Sequence, residues 1–250
     1  MQLVLLVATG VGMATVIGAI IGLIFKKVSH KFSDIVLSFA AGIMLSASII
    51  GLILPSIEYG GKYGIIVTVI GVFAGALCLN LFDKIIPHLH NLAGPEGEEH
   101  SNSNINKIML FVMAIAIHNL PEGIASGVGF GTGDTSGALL IASGIALQNI
   151  PEGMVIIAPM LSIGVSPKKT FIFALVTGAV EVVGTLLGYF AVNIASVILP
   201  FALAFAGGTM LYVISDEMIP ETHAHGHQRG ATYALLLGFC VMLISDVFLG

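Results

Sequence analysis

Charge is what this sequence has least of: Asp, Glu, Lys and Arg make up 9% of its 250 residues, whereas 56% are hydrophobic. Soluble domains carry about 25% charged residues, so a chain with a water-facing surface all round is excluded. Tryptophan is absent, and the two cysteines, Cys78 and Cys240, each stand alone in an apolar segment. They supply neither a disulfide framework nor a Cys-x-x-Cys motif, and they read as packing residues. No basic stretch precedes the first apolar run, and Leu3 to Phe25 is long enough to cross a bilayer, so a retained helix is expected and not a cleaved signal.

Long apolar runs take the place of charge. Eight spans follow from hydropathy, roughly 2–25, 33–56, 63–82, 108–130, 135–161, 170–193, 197–217 and 231–250. The fold class expected is an all-α integral membrane protein, with residues 1–250 forming a single transmembrane domain in a multi-pass cell membrane location. The basic residues sort by side: Lys26, Lys27, Lys31, Lys84, Lys107, Lys168, Lys169 and Arg229 fall in loops on one face, and only Lys62 on the other. By the positive-inside rule the richer face is cytoplasmic, which puts both termini outside.

The spans repeat internally. Phe39-Ala40-Ala41-Gly42-Ile43-Met44-Leu45, running on to Pro55, resembles Phe205-Ala206-Gly207-Gly208-Thr209-Met210-Leu211, running on to Pro220. The two copies lie on spans that cross in opposite directions, so the repeat is inverted and the helices group as three, two and three. Inverted repeats with a midplane site between broken helices mark secondary transporters.

The central pair is the most distinctive. His118-Asn119-Leu120-Pro121-Glu122-Gly123 on the fourth span recurs as Gln148-Asn149-Ile150-Pro151-Glu152-Gly153 on the fifth. Residues four apart share a helix face, which pairs His118 with Glu122 and Gln148 with Glu152, with Asn119 and Asn149 on the flank. Each proline removes a backbone donor and frees the carbonyl four residues earlier. Glu181 adds a third carboxylate near the middle of the sixth span. A charge at the bilayer centre costs about 2.5 to 3.5 kcal/mol, so three left unpaired would cost roughly 8 to 10. No Lys or Arg lies within the spans, so the compensating charge is protons or a cation from outside the chain. Imidazole with carboxylates suits Zn²⁺, Fe²⁺ or Mn²⁺, and zinc best; oxygen ligands alone would suit Mg²⁺ or Ca²⁺.

Taken with their spacing, the paired motifs resemble those of the ZIP family of divalent metal transporters, in its bacterial GufA-like branch, over essentially the whole chain. That resemblance implies a bundle of eight helices in a 3+2+3 order, with metal moving into the cytoplasm between spans four and five. It further implies that His118, Glu122, Gln148 and Glu152 form a first metal position, with Met44 as a soft ligand. Asn119, Asn149 and Glu181 would join Glu122 and Glu152 around a second, and Asp216, Glu217 and His223 would line the cytoplasmic exit. Metal is then cargo, zinc first and Fe, Mn or Cd after it, with no catalytic residue and no resident cofactor. The bilayer and the ion are the expected partners, a homodimer is carried as a further expectation, and nucleic acid is not expected.

Two other functions share these residues. A di-metal membrane enzyme would hold iron or zinc for oxidation or hydrolysis, but the midplane offers one histidine and no His-Glu-x-x-His motif. A passive channel would use the same ligands and differ in kinetics. Two histidine groups, one at His88, His90 and His100 within the polar loop 88–106 and one at His223, His225 and His227, suggest metal capture or regulation.

Overall fold

In lipid every backbone polar group must be satisfied within the protein, and an apolar run meets that demand as a helix. The computed structural model describes residues 1–25, 29–85, 118–162 and 164–249, and it is all helix and connection, with no strand among them. Seven helices are long and apolar enough to cross a membrane: α1 Gln2–Phe25, α2 His30–Tyr59, α3 Gly61–Phe82, α5 Thr135–Val155, α6 Pro167–Ile194, α7 Ser196–Thr222 and α8 Gln228–Phe248. Between them, α4 is described over 118–129. The first half of the span expected over 108–130 lies outside the described residues, as do the loop 88–106 and its three histidines.

Helix starts follow local chemistry. Ser29 Oγ accepts from the Phe32 amide, Asp134 from Ser136 and Ser166 from Lys169, capping α2, α5 and α6, and Pro167 takes the first turn of α6, where no amide donor is missed. A left-handed Gly133, φ 81°, turns the chain from the end of α4 into α5.

Packing carries the internal repeat through the bundle. Helix α2 lies along α8 as α7 lies along α3, and α1 lies against both α5 and α6. Glycines make these approaches so close that a single added methyl would strike backbone, and they do so in matched pairs. Gly42 abuts the Leu235 carbonyl and Gly238 that of Phe39; in the other half Gly208 abuts Val72 and Gly75 abuts Phe205. Gly12 of α1 and Gly178 of α6 meet each other's carbonyls. The motif glycines correspond too, Gly123 of α4 lying on Glu181 of α6 and Gly153 of α5 on Thr15 of α1.

The repeat extends to an uncommon backbone form. Midway, α2 widens into a π-helical segment, Ala47–Ile53, and α7 does the same at Ile214–Met218, each returning to α-helix with Pro55 or Pro220 in the next turn. Such widenings concentrate at functional sites, because they redirect side chains and loosen carbonyls from the ladder. Met44 and Met210 stand just before them, both buried in one core cluster with Leu52, Ile145, Leu203 and Ile214. Large apolar side chains such as Phe73 and Leu77 on α3 and Leu237 and Phe248 on α8 point outward, as lipid-facing residues do.

Candidate metal centre

Four helices supply the polar interior. Glu122, Gln148, Asn149, Asn119 and Glu181 are all buried, at 3% exposure or less. Gln148 Nε2 donates to Glu122 Oε1 at 2.8 Å, joining α5 to α4. Asn119 Nδ2 donates to Glu181 Oε1 at 2.7 Å, joining α4 to α6. The same Glu181 oxygen accepts from Thr15 Oγ1 of α1 at 3.0 Å, and Asn149 Nδ2 donates to the Val11 carbonyl at 3.3 Å. Each of these bonds uses one amide N–H or the hydroxyl as donor. Left over are acceptors: Glu122 Oε2, Gln148 Oε1, Asn149 Oδ1 and Glu181 Oε2 are buried and have no hydrogen-bond partner among the described residues. A buried acceptor without a donor is costly, and four in one interior call for protons, water or a cation beyond what the described residues supply.

Glu152 is only part-buried. It lies within electrostatic reach of Glu122 and of His118. His118 also reaches α7: its Nε2 lies 2.8 Å from Glu217 Oε1 and 2.7 Å from Oε2, on the π segment. One of the expected ligands is thereby joined to one of the expected exit residues. His223 stands at the end of the same helix, bonded to Ile219 and Thr232, and Asp216 lies beside Glu217 in the π segment. Met44 is buried on α2, at 1% exposure. Among the described residues no three His, Cys, Asp or Glu side chains converge closely enough to clasp one ion. The amides Asn119, Gln148 and Asn149 interleave with the carboxylates, so the donors form a chain through the bundle.

At the opposite end from Glu217 a cavity of about 210 Å³ opens between α2, α4, α5 and α8. Glu58, Asp134 and Asp246 line it, and its wall includes Ser46 and Ala47, two and three residues past Met44. Asp246, for which hydropathy offers no role, therefore faces a cavity.

Helix α1 is what sequence reasoning missed. Its Thr15 and the Val11 carbonyl are direct partners of Glu181 and Asn149. A hydroxyl in an apolar run, one helical turn from Gly12 and Gly18, was the available signal, but threonine is common in spans and the partner lies far along the chain.

A family model described as ZIP Zinc transporter matches residues 96–246. The chain is 38% identical over 245 residues to the protein named zinc transporter GufA of Myxococcus xanthus, covering 96% of each. It is 36% identical over 250 residues to zinc transporter ZIPB of Bordetella bronchiseptica, covering 95% of this chain and 78% of that one. It is 35% identical over 251 residues to zinc transporter ZupT of Chlorobaculum parvum, covering 94% and 92%. These relatives carry the names of transporters and not of enzymes, which sets the di-metal enzyme reading aside. With a family model over more than half its length and relatives matched nearly end to end, the chain belongs to the ZIP zinc transporter family.

Proposed function

We propose that the chain carries zinc, or a closely similar divalent ion, across the cell membrane into the cytoplasm through the donors on α4, α5 and α6. The observation that carries this reading is the set of four buried oxygens on α4, α5 and α6 that find no donor among the described residues. A cation supplies what they lack. His118, Glu122, Gln148 and Glu152 make the first metal position, with Met44 beside the way in; Asn119, Asn149 and Glu181 join the two motif glutamates in the second. Asp216, Glu217 and His223 take the ion onward.

Residues 1–250 act as one transporter domain of eight spans, with both termini outside, and this orientation rests on the loop lysines. A homodimer is compatible with the apolar outer faces of α3 and α8. Alternating access is favoured over a fixed pore, because proline-bearing helices and matched π segments give the two halves a way to move against each other.

The test is metal flux into proteoliposomes for Zn²⁺, Fe²⁺, Mn²⁺ and Cd²⁺. Saturable zinc uptake that disappears in Glu122→Ala and in Glu152→Ala, with both variants still inserted, is the expected result. Undiminished uptake in both would sink the assignment, and a rate that never saturates would turn the carrier into a channel.

A further inference from the structure

The connection between α7 and α8 carries His223, His225 and His227, and the midplane donors leave two of them unused. His223 is tied to its own loop, with Nδ1 2.9 Å from the Ile219 carbonyl oxygen and Nε2 3.2 Å from Thr232 Oγ1. His225 reaches across to α2 instead. Its Nδ1 lies 3.0 Å from Asp34 Oδ1, and its ring stacks on that of His30, centroids 4.6 Å apart and planes 26° from parallel. His30 and Asp34 are four residues apart in the first turn of α2, so one helix face presents both.

Asp34 is the unusual member of this group. It is 3% exposed, and its Oδ2 has no hydrogen-bond partner among the described residues. Buried carboxylates ordinarily have both oxygens engaged, by donors or by a metal. Here one oxygen meets an imidazole and the other meets nothing among the described residues, under a lid of two exposed histidine rings.

We propose that His30, Asp34 and His225 form a second divalent-cation site, at the end of the bundle where α7 passes into α8, and that it takes zinc or a like borderline ion. Two donors each about 2.0 to 2.1 Å from a tetrahedral zinc stand about 3.3 Å apart. The His225 Nδ1 to Asp34 Oδ1 separation is already close to that edge, so an ion replaces the proton held between them with little movement. The stacked ring of His30 becomes the third donor only on turning, since as the side chains stand no three such groups among the described residues surround one point. It stands beside His225 and not yet around a shared centre, and exposed rings turn on the nanosecond scale or faster. Water completes the shell from the open side. Two imidazoles with one carboxylate is a donor set that favours zinc over magnesium or calcium. A bound ion would pin the first turn of α2, the helix that carries Met44 and the first π segment, to the α7–α8 connection.

The site is independent of the midplane reading, and the experiment keeps the two apart. The full-length protein carrying Glu122→Gln and Glu152→Gln is purified in detergent, dialysed against Zn²⁺, and its metal counted per chain. A Co²⁺ titration followed by visible absorption reads the ligand type. One retained ion with a histidine-type cobalt spectrum is expected, with affinity falling at least 100-fold on adding Asp34→Asn and at least tenfold on adding His225→Gln or His30→Gln. No retained ion, or one that none of the three substitutions weakens, would overturn the proposal. Should Asp34→Asn fail to fold, the two histidine variants decide, because both side chains are exposed.

Discussion

The two halves of the bundle share a backbone and differ in chemistry. Gly123 lies on residue 181 and Gly153 on residue 15 by the same close approach, yet the first position holds Glu181 and the second Thr15. The motifs differ at two positions, conservatively at Leu120 and Ile150 and in chemistry at the first, where His118 corresponds to Gln148. The π segment of α2 is apolar and borders a cavity, whereas that of α7 holds Asp216 and Glu217 and bonds to His118. Symmetry in these helices is a property of packing, set by glycines and prolines. The symmetry breaks at the buried polar groups: the hydroxyl of Thr15 donates to the carboxylate of Glu181, and two like residues could not both be ionised there without a further cation.

That contrast predicts a graded series of effects. The largest belongs to packing. Gly42→Leu and Gly208→Leu each drive a side chain into backbone, overpacking that costs about 3 kcal/mol or more, and the losses should be equal. Thermal melting of the purified proteins measures this, and a clear inequality would break the equivalence of the halves. Next comes Thr15→Val, which removes a hydrogen bond to a carboxylate worth about 1.5 to 3 kcal/mol. It should change zinc affinity about tenfold or more in isothermal titration, whereas Thr9→Val, an exposed hydroxyl on the same helix, should leave it unchanged.

Glu217→Gln weakens the part-exposed His118–Glu217 contact, worth about 1 kcal/mol, and makes it easier for the His118 ring to turn toward Glu122. Tighter zinc binding by roughly fivefold is expected; weaker binding would mean that Glu217 holds the ion and not the histidine. Smallest is Asp246→Asn at the cavity. Loss of one acid there should raise half-saturating zinc about twofold at low ionic strength, an effect that high salt removes because exposed charges are screened. A salt-independent change would place Asp246 in direct contact with the ion.

Much of this was legible in the chain. Seven of the expected spans coincide with helices because lipid leaves a helix as the main solution for an apolar run: the expected 170–193 is Pro167–Ile194, whereas the expected 135–161 breaks after Val155 and 197–217 runs on to Thr222. The paired motifs were visible because a carboxylate beside proline in an apolar run has few structural reasons to exist. The inverted repeat was visible at Phe39 and Phe205, and the glycine contacts extend it to α1 and α6, where sequence likeness has faded to Gly12 and Gly178. Neither π segment was legible, since a π turn arises from how a helix meets its neighbours and carries no composition of its own.

The sequence by itself determined that the chain is rich in apolar helices with carboxylates and amides midway along them, because hydropathy and helical spacing are local properties. Only the tertiary structure decided that α1 is a wall of that centre, that His118 is held by Glu217, and that Asp34 lies beneath His30 and His225. Those facts join residues far apart in the chain, and no local pattern records which helix faces another. The close approach of glycine-lined backbones sets it.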